Sequence, residues 1–197
     1  DDPTAAEVRA AVLAAPVPVV LDGDGLFAMA WNADKHRRVV ETGADGYAVV
    51  EFEAALQLRA AGYAQRIVLL EGFFDRRELT EGAARRLATV MHSEEQLRLL
   101  EGLPSGSRLD VLLKINSGMN RLGFAPHQAR AAWTRLNALP QVDEISLMTH
   151  FSDADGPIGI ASQAAAFEAA TSDLPGERCL SNSAAVLRHD LHAREAA

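Results

Sequence analysis

This 197-residue sequence predicts an α/β fold of the (β/α) TIM-barrel type, incomplete, with parallel strands alternating with helices. Three observations carry that expectation. Short runs of β-branched and aliphatic residues recur along the chain, stretches of helical spacing separate them, and the residues at each junction are chemically suited to stopping one element and starting the next.

The apolar runs fall at 17–21, 47–50, 67–70, 88–91, 109–115 and 145–149, with a shorter seventh at 178–180. They are apolar almost throughout, the pattern of strands buried on both faces. Helical spacing and good helix formers fill 52–61, 76–87, 93–101, 126–138 and 163–171. Ser93-Glu-Glu-Gln96 is a capping-box start, Gly62 stands where a helix C-cap belongs, and Pro126 suits a first helical turn. Residues 152–162, with two glycines and a proline, read as a long loop after a strand. A complete eightfold barrel takes about 250 residues, so a single domain over 1–197 predicts an incomplete one.

Composition narrows the function classes. Lys+Arg 19 against Asp+Glu 27 gives a formal net charge of -8, which leaves no diffuse basic field for nucleic acid or an anionic membrane. The single cysteine, Cys179, excludes an internal disulfide and a thiolate metal cluster, and reads as a small apolar filler. No apolar run approaches membrane-span length and the start, Asp1-Asp-Pro3, is acidic, so the expected location is cytoplasmic. The cations divide into 17 arginines and two lysines, Lys35 and Lys114, so lysine chemistry has two candidates.

In a parallel barrel the chemistry sits at the carboxyl ends of the strands. The polar residues placed there are Asp22, Glu51, Glu71, His92, Lys114 with Asn116, His150 and Ser181-Asn-Ser183. Asp22, Glu51 and Glu71 also suit helix caps or surface positions, and His92 reads as a helix-start residue. His150 places an imidazole between a strand and the long loop. The densest constellation is Lys114-Ile-Asn-Ser-Gly-Met-Asn-Arg-Leu-Gly-Phe124, in which Gly118 and Gly123 permit a tight loop returning Arg121 toward Lys114. A buried lysine there needs a partner or a modification; the alternative is a lysine that snorkels to solvent. Ser181-Asn-Ser183 reads either as a phosphate-binding helix start or as a plain N-cap.

Five segments together, Thr42-Gly-Ala-Asp-Gly-Tyr-Ala-Val-Val-Glu-Phe-Glu-Ala-Ala55, Ile67-Val-Leu-Leu-Glu-Gly-Phe-Phe74, Leu113 to Phe124, Met148-Thr-His-Phe151 and Ser181-Asn-Ser-Ala-Ala185, resemble the N-terminal barrel domain of bacterial alanine racemase in family order over about residues 36–189. The resemblance implies pyridoxal 5'-phosphate as cofactor and interconversion of L- and D-alanine for cell-wall D-alanine supply. It also implies a two-base reaction, with a cofactor lysine at the end of the first strand and a tyrosine from a separate C-terminal β domain. By the same resemblance Lys114 matches a lysine carbamylated in many members, a change that would let it pair with Arg121 as an anion. Arg121 matches the arginine near the cofactor's phenolic oxygen and His150 the histidine beneath its ring. Asn182 and Ser183 match the cofactor-phosphate region. Arg121 and His150 are thus the expected catalytic residues, and Lys114, Arg121, His150, Asn182 and Ser183 the cofactor-binding ones, with no metal.

The chain departs from that family at its start. Counting back from Gly43 places the cofactor lysine near Gly23, where the chain reads Asp22-Gly-Asp-Gly25, and Lys35 lies eight residues before Gly43. Residues 1–32 instead resemble a segment of ADP- or ATP-dependent NAD(P)H-hydrate dehydratase. The expectation is a racemase-family barrel without the C-terminal β domain. Its own racemisation should be impaired or absent and its homodimer weakened. The alternatives are a non-catalytic pyridoxal-phosphate-binding module, an inert chimeric or truncated fragment, and nucleotide-linked chemistry from the N-terminal segment.

Overall fold

The structure, a computed structural model, describes residues 20–21, 46–180 and 182–189. Lys35, Asp22, Ser181 and the rest of the dehydratase-like segment beyond Val20 and Leu21 lie outside the described residues. The elements are β1 (Val20–Leu21), β2 (Gly46–Val49), α1 (Phe52–Ala60), β3 (Arg66–Leu69), α2 (Arg76–Ala84), β4 (Ala88–Met91), α3 (Glu94–Glu101), β5 (Leu109–Lys114), a 3-10 turn (Pro126–Gln128) running into α4 (Ala129–Asn137), β6 (Val142–Met148), α5 (Ala161–Thr171), β7 (Arg178–Cys179) and α6 (Ser183–Arg188).

The described strands form one parallel sheet in the order β1-β2-β3-β4-β5-β6-β7. Sequential order without a crossover reversal is the topology of a barrel wound in one direction, not of an open doubly wound sheet. The sheet is also concave. Arg66 on β3 pairs with Glu144 on β6 at 3.9 Å, across three strand spacings that would separate the strands by about 14 Å on a flat sheet.

Alternation divides the strand residues between two cores. The outward set, including Tyr47, Ile67, Leu69, Val111, Leu113 and Leu147, packs under Leu79, Leu97, Leu100, Leu136 and Phe167 of the helices. The inward set is Ala48, Val68, Ala88, Val90, Leu112 and Met148, with Leu70 and Cys179 packed against it. Burying each large aliphatic side chain stabilises by about 1.5–3 kcal/mol, so continuous apolar runs are what a sheet covered on both faces requires.

Local chemistry sets the helix ends. Asp75 Oδ1 accepts the Glu78 N–H at 2.8 Å at the start of α2, and Ser93 Oγ accepts the Gln96 N–H at 3.4 Å at the start of α3. Gly62, at φ 90°, closes α1 as anticipated, with its own N–H on Arg59 O and the Tyr63 N–H on Leu58 O. That pair of bonds is a Schellman stop. The helical stretch expected over 76–87 ends at Ala84, because Arg86 takes a left-handed φ of 54° and makes the same stop without a glycine. The strand expected at 145–149 starts earlier, at Val142, and ends at Met148.

Candidate functional site

Because the described strands are parallel, their carboxyl ends share one rim. Glu71 follows β3 by two residues, His92 follows β4, Lys114 ends β5 and His150 stands two residues beyond Met148 of β6. Asn182 caps α6 after β7.

Lys114 is buried, at 7% exposure, and its Cα is in register with Met148, which is in turn in register with Cys179. The loop that follows is fixed by its own polar groups. Asn116 Oδ1 accepts the N–H groups of Gly118 (3.2 Å) and Asn120 (3.0 Å), and Asn120 sits at φ 58°. The Phe124 N–H on Lys114 O and the Asn116 N–H on Phe124 O, both 2.9 Å, close the loop against the strand end. Gly123 has no substitute here: at φ 121°, a Cβ would lie 2.7 Å from Asn116 N and 3.1 Å from Lys114 O. Closing this way brings Arg121 into electrostatic range of Lys114. Burial first, and then the Arg121 cation, push the Lys114 amine below the usual lysine range, while Cys179 and Glu71 pull it the other way. Neither oppositely polarised neighbour is close enough for an ion pair.

His150 is carried on a braced strand end. Thr149 Oγ1 donates to Ile115 O at 3.0 Å and lies 2.7 Å from Ser117 Oγ. A hydroxyl has one proton, so Ser117 donates to Thr149 and the three groups form a directed chain between β5 and β6. On the other side of His150, Asn182 Nδ2 donates to Phe151 O at 3.0 Å while Asn182 Oδ1 caps α6 on the Ala185 N–H at 2.9 Å. Both ends of the Asn182 amide are therefore engaged within the fold, and its direct effect is to hold α6 beside the His150 segment.

His92 and Glu71 meet through Gln96. The Glu71 carbonyl accepts from Gln96 Nε2 at 2.7 Å and from His92 Nε2 at 2.9 Å, and Gln96 Oε1 accepts the His92 N–H at 3.0 Å. Cys179 behaves as the expected filler in part: burial pushes its thiol up, against the pull of the Arg66 and Lys114 cations. The chain's two tyrosines stand apart from the rim, because Tyr47 and Tyr63 lie in the outer core with rings 5.0 Å apart, edge to face.

The structure therefore leaves Arg121 in electrostatic range of Lys114 and holds His150 and Asn182 at the same rim, whereas Glu51 is an exposed residue at the start of α1 without a side-chain cap. Sequence reasoning did not single out Gln96, Ser117 or Thr149. Ser117 and Thr149 flank two polar strand ends, and a hydroxyl at or just past the end of an apolar run was the signal available. Gln96 was visible only as a capping residue.

A parallel β/α barrel with a buried lysine, an exposed arginine and a half-buried imidazole at its carboxyl rim defines an α/β-barrel protein with its polar residues gathered at one end. The chain belongs to the alanine racemase family, matching the description "Alanine racemase, N-terminal domain" over residues 30–196. It is 58% identical over 146 residues to an alanine racemase of Polaromonas sp. and 56% identical over 146 residues to one of Acidovorax sp., in each case 74% of this chain and 40% of the relative. The crystal structure of biosynthetic alanine racemase from Pseudomonas aeruginosa superposes with a TM-score of 0.77 at 32% identity, covering 94% of this chain and 53% of that one. The chain thus spans about 40% of the length of those curated relatives. Among the described residues no helix is long and apolar enough to cross a membrane.

Proposed function

We propose that this chain is the cofactor-holding barrel of a cytoplasmic, pyridoxal-phosphate-dependent amino-acid racemase acting on alanine, and that it racemises weakly or not at all by itself. The observation that carries the reading is the buried Lys114 amine with the Arg121 guanidinium in electrostatic range at the rim, neither with a carboxylate in ion-pair range among the described residues. That donor set fits a group bearing a phosphate and a phenolic oxygen. When bound, the cofactor supplies an electron sink that makes the amino-acid Cα–H acidic.

The roles of the chain's own residues follow. Arg121 would donate to an anionic oxygen of the cofactor, and the charge on that bond would make it one of the stronger contacts at the rim. His150, held between the Thr149 brace and the Asn182 bond to Phe151, would orient catalytic groups toward the bound cofactor. Asn182 sets the position of α6, and by the family resemblance Ser183 at its first position would lie toward the cofactor's phosphate. Lys114 keeps Arg121 company as an amine, or as a carbamate once carbon dioxide has added to it.

Racemisation needs a proton acceptor on each face of the substrate carbon. Neither tyrosine of the chain can fill that place, since both are buried in the outer core. A single barrel domain with the racemase's other parts and its homodimer contacts supplied from elsewhere is therefore the reading that accounts for the site. Its test is calorimetric titration of the chain with pyridoxal phosphate, alongside a D-alanine assay. Saturable binding weakened about tenfold or more by Arg121→Ala is expected, since a hydrogen bond to a charged group contributes about 1.5–3 kcal/mol. Equal binding by Arg121→Ala, or full racemase turnover by the chain alone, would sink it.

A further inference from the structure

Lys114 has chemistry that a purely electrostatic role does not use. It is the single lysine among the described residues, it is 7% exposed, and its neighbours in register are Met148 and, one strand further, Cys179. Among the described residues no acceptor lies within hydrogen-bond distance of its Nζ and no carboxylate within ion-pair distance. The charged and titratable groups that face it are Arg121 from its own loop, Glu71 from the end of β3 and Cys179 from β7. Desolvation and the adjacent guanidinium both lower the amine's proton affinity, the direction that makes a lysine more nucleophilic. Meanwhile the stretch around Gly23 carries no lysine, so the chain's only other lysine amine is Lys35.

We propose that Lys114 is the carbonyl-reactive amine of this chain and captures small aldehydes that enter the barrel rim. For pyridoxal phosphate the proposal rests on the cofactor reading above; for aldehydes as a class it does not. The Nζ lone pair adds to the aldehyde carbon and the carbonyl oxygen takes up a proton. The nitrogen then loses its proton, the new hydroxyl leaves as water and a C=N bond forms, with nothing oxidised or reduced. Carbon dioxide competes for the same lone pair, so bicarbonate slows the capture.

The test uses the full chain, incubated in parallel with pyridoxal phosphate and with pyridoxal, reduced with borohydride and mapped by peptide mass. Stoichiometric adduct on Lys114, ahead of Lys35 and the terminal amine in the same sample, is expected. It should disappear in Lys114→Met and Lys114→Arg and slow in Arg121→Ala, where loss of the neighbouring cation raises the amine's proton affinity. Should the Lys114 variants fail to fold, the ratio of Lys114 to Lys35 labelling in the unaltered chain and its fall in Arg121→Ala decide the matter alone. Labelling confined to Lys35, or equal at all amines, overturns the proposal. Calorimetric binding of pyridoxal phosphate with no adduct at Lys114 also overturns it and leaves the cofactor reading standing. Equal Lys114 labelling by pyridoxal and pyridoxal phosphate supports the proposal while removing the case for a phosphate site.

Discussion

Thr149 carries one hydroxyl proton, donated to Ile115 O, and its oxygen accepts from Ser117, so both of its hydrogen-bonding functions are taken in a site where Thr149 is 3% and Ser117 7% exposed. The backbone completes the joint: the Ile115 N–H reaches Met148 O at 2.8 Å and the Thr149 N–H reaches Cys179 O at 3.1 Å. One hydroxyl therefore joins the ends of β5 and β6 at the point where Lys114 and His150 leave the sheet. Valine has nearly the shape of threonine and none of its polarity. Thr149→Val leaves the Ser117 hydroxyl and the Ile115 carbonyl buried without partners, and should destabilise the chain by about 1–3 kcal/mol in urea unfolding. Thr149→Ser keeps the hydroxyl and should lose clearly less. Equal losses in the two variants would show that packing of the methyl group, not the hydrogen-bonded chain, holds the joint.

At the level of elements, α2 ends on a conformation its sequence does not favour. Arg86 occupies the left-handed position that Gly62 fills after α1, with its N–H on Ala83 O and the Leu87 N–H on Gly82 O. A side chain there costs about 1–2 kcal/mol, partly offset by the extra freedom glycine gives the unfolded chain. Arg86→Gly should therefore stabilise by about 0.5–1 kcal/mol, read as a rise in denaturant midpoint at unchanged slope; the bond from Arg59 Nη2 to Arg86 O survives because it uses the backbone. A fall in midpoint would mean that the arginine side chain itself matters. This stop also shows what the sequence could not disclose. The Gly62 stop was legible because glycine tolerates positive φ, and the Ser93 cap because its hydroxyl meets the N–H three residues on. Arg86 offers neither sign, so the expected helix ran three residues too far. The same division holds at the rim. Lys114 and His150 were legible as polar residues at strand ends and Arg121 from the glycines that bound its loop, whereas Gln96 and the Ser117–Thr149 pair become visible only when separate elements are brought together.

Across the whole molecule, the two-sided burial that makes the barrel also strands polar atoms in it. Tyr47 of β2 is fully buried under the outer helices and its hydroxyl has no hydrogen-bond partner among the described residues, while burial first, and then Tyr63, push its phenol from 10.0 up to about 12. The sign of the linkage follows from proton counting. Between pH 10 and about 12 the unfolded chain has released this proton and the folded chain still holds it. The native state thus binds more protons, and stability falls as pH rises. The contribution is fully present below pH 10 and is lost as pH rises through about 12. Tyr63, raised by its own burial, adds in the same direction, as does Cys179. Lys114 acts oppositely, since its lowered affinity makes the unfolded state the better proton binder and relieves a burial penalty as pH rises. Tyr47→Phe isolates the phenol. At neutral pH it removes an unpartnered buried hydroxyl and should leave stability unchanged or slightly higher. In the alkaline window its unfolding free energy should decline less steeply with pH than that of the unaltered chain. Parallel slopes for the two proteins, measured by denaturant unfolding at steps from pH 9 to 12, would place the alkaline weakness at Tyr63 or Cys179 instead.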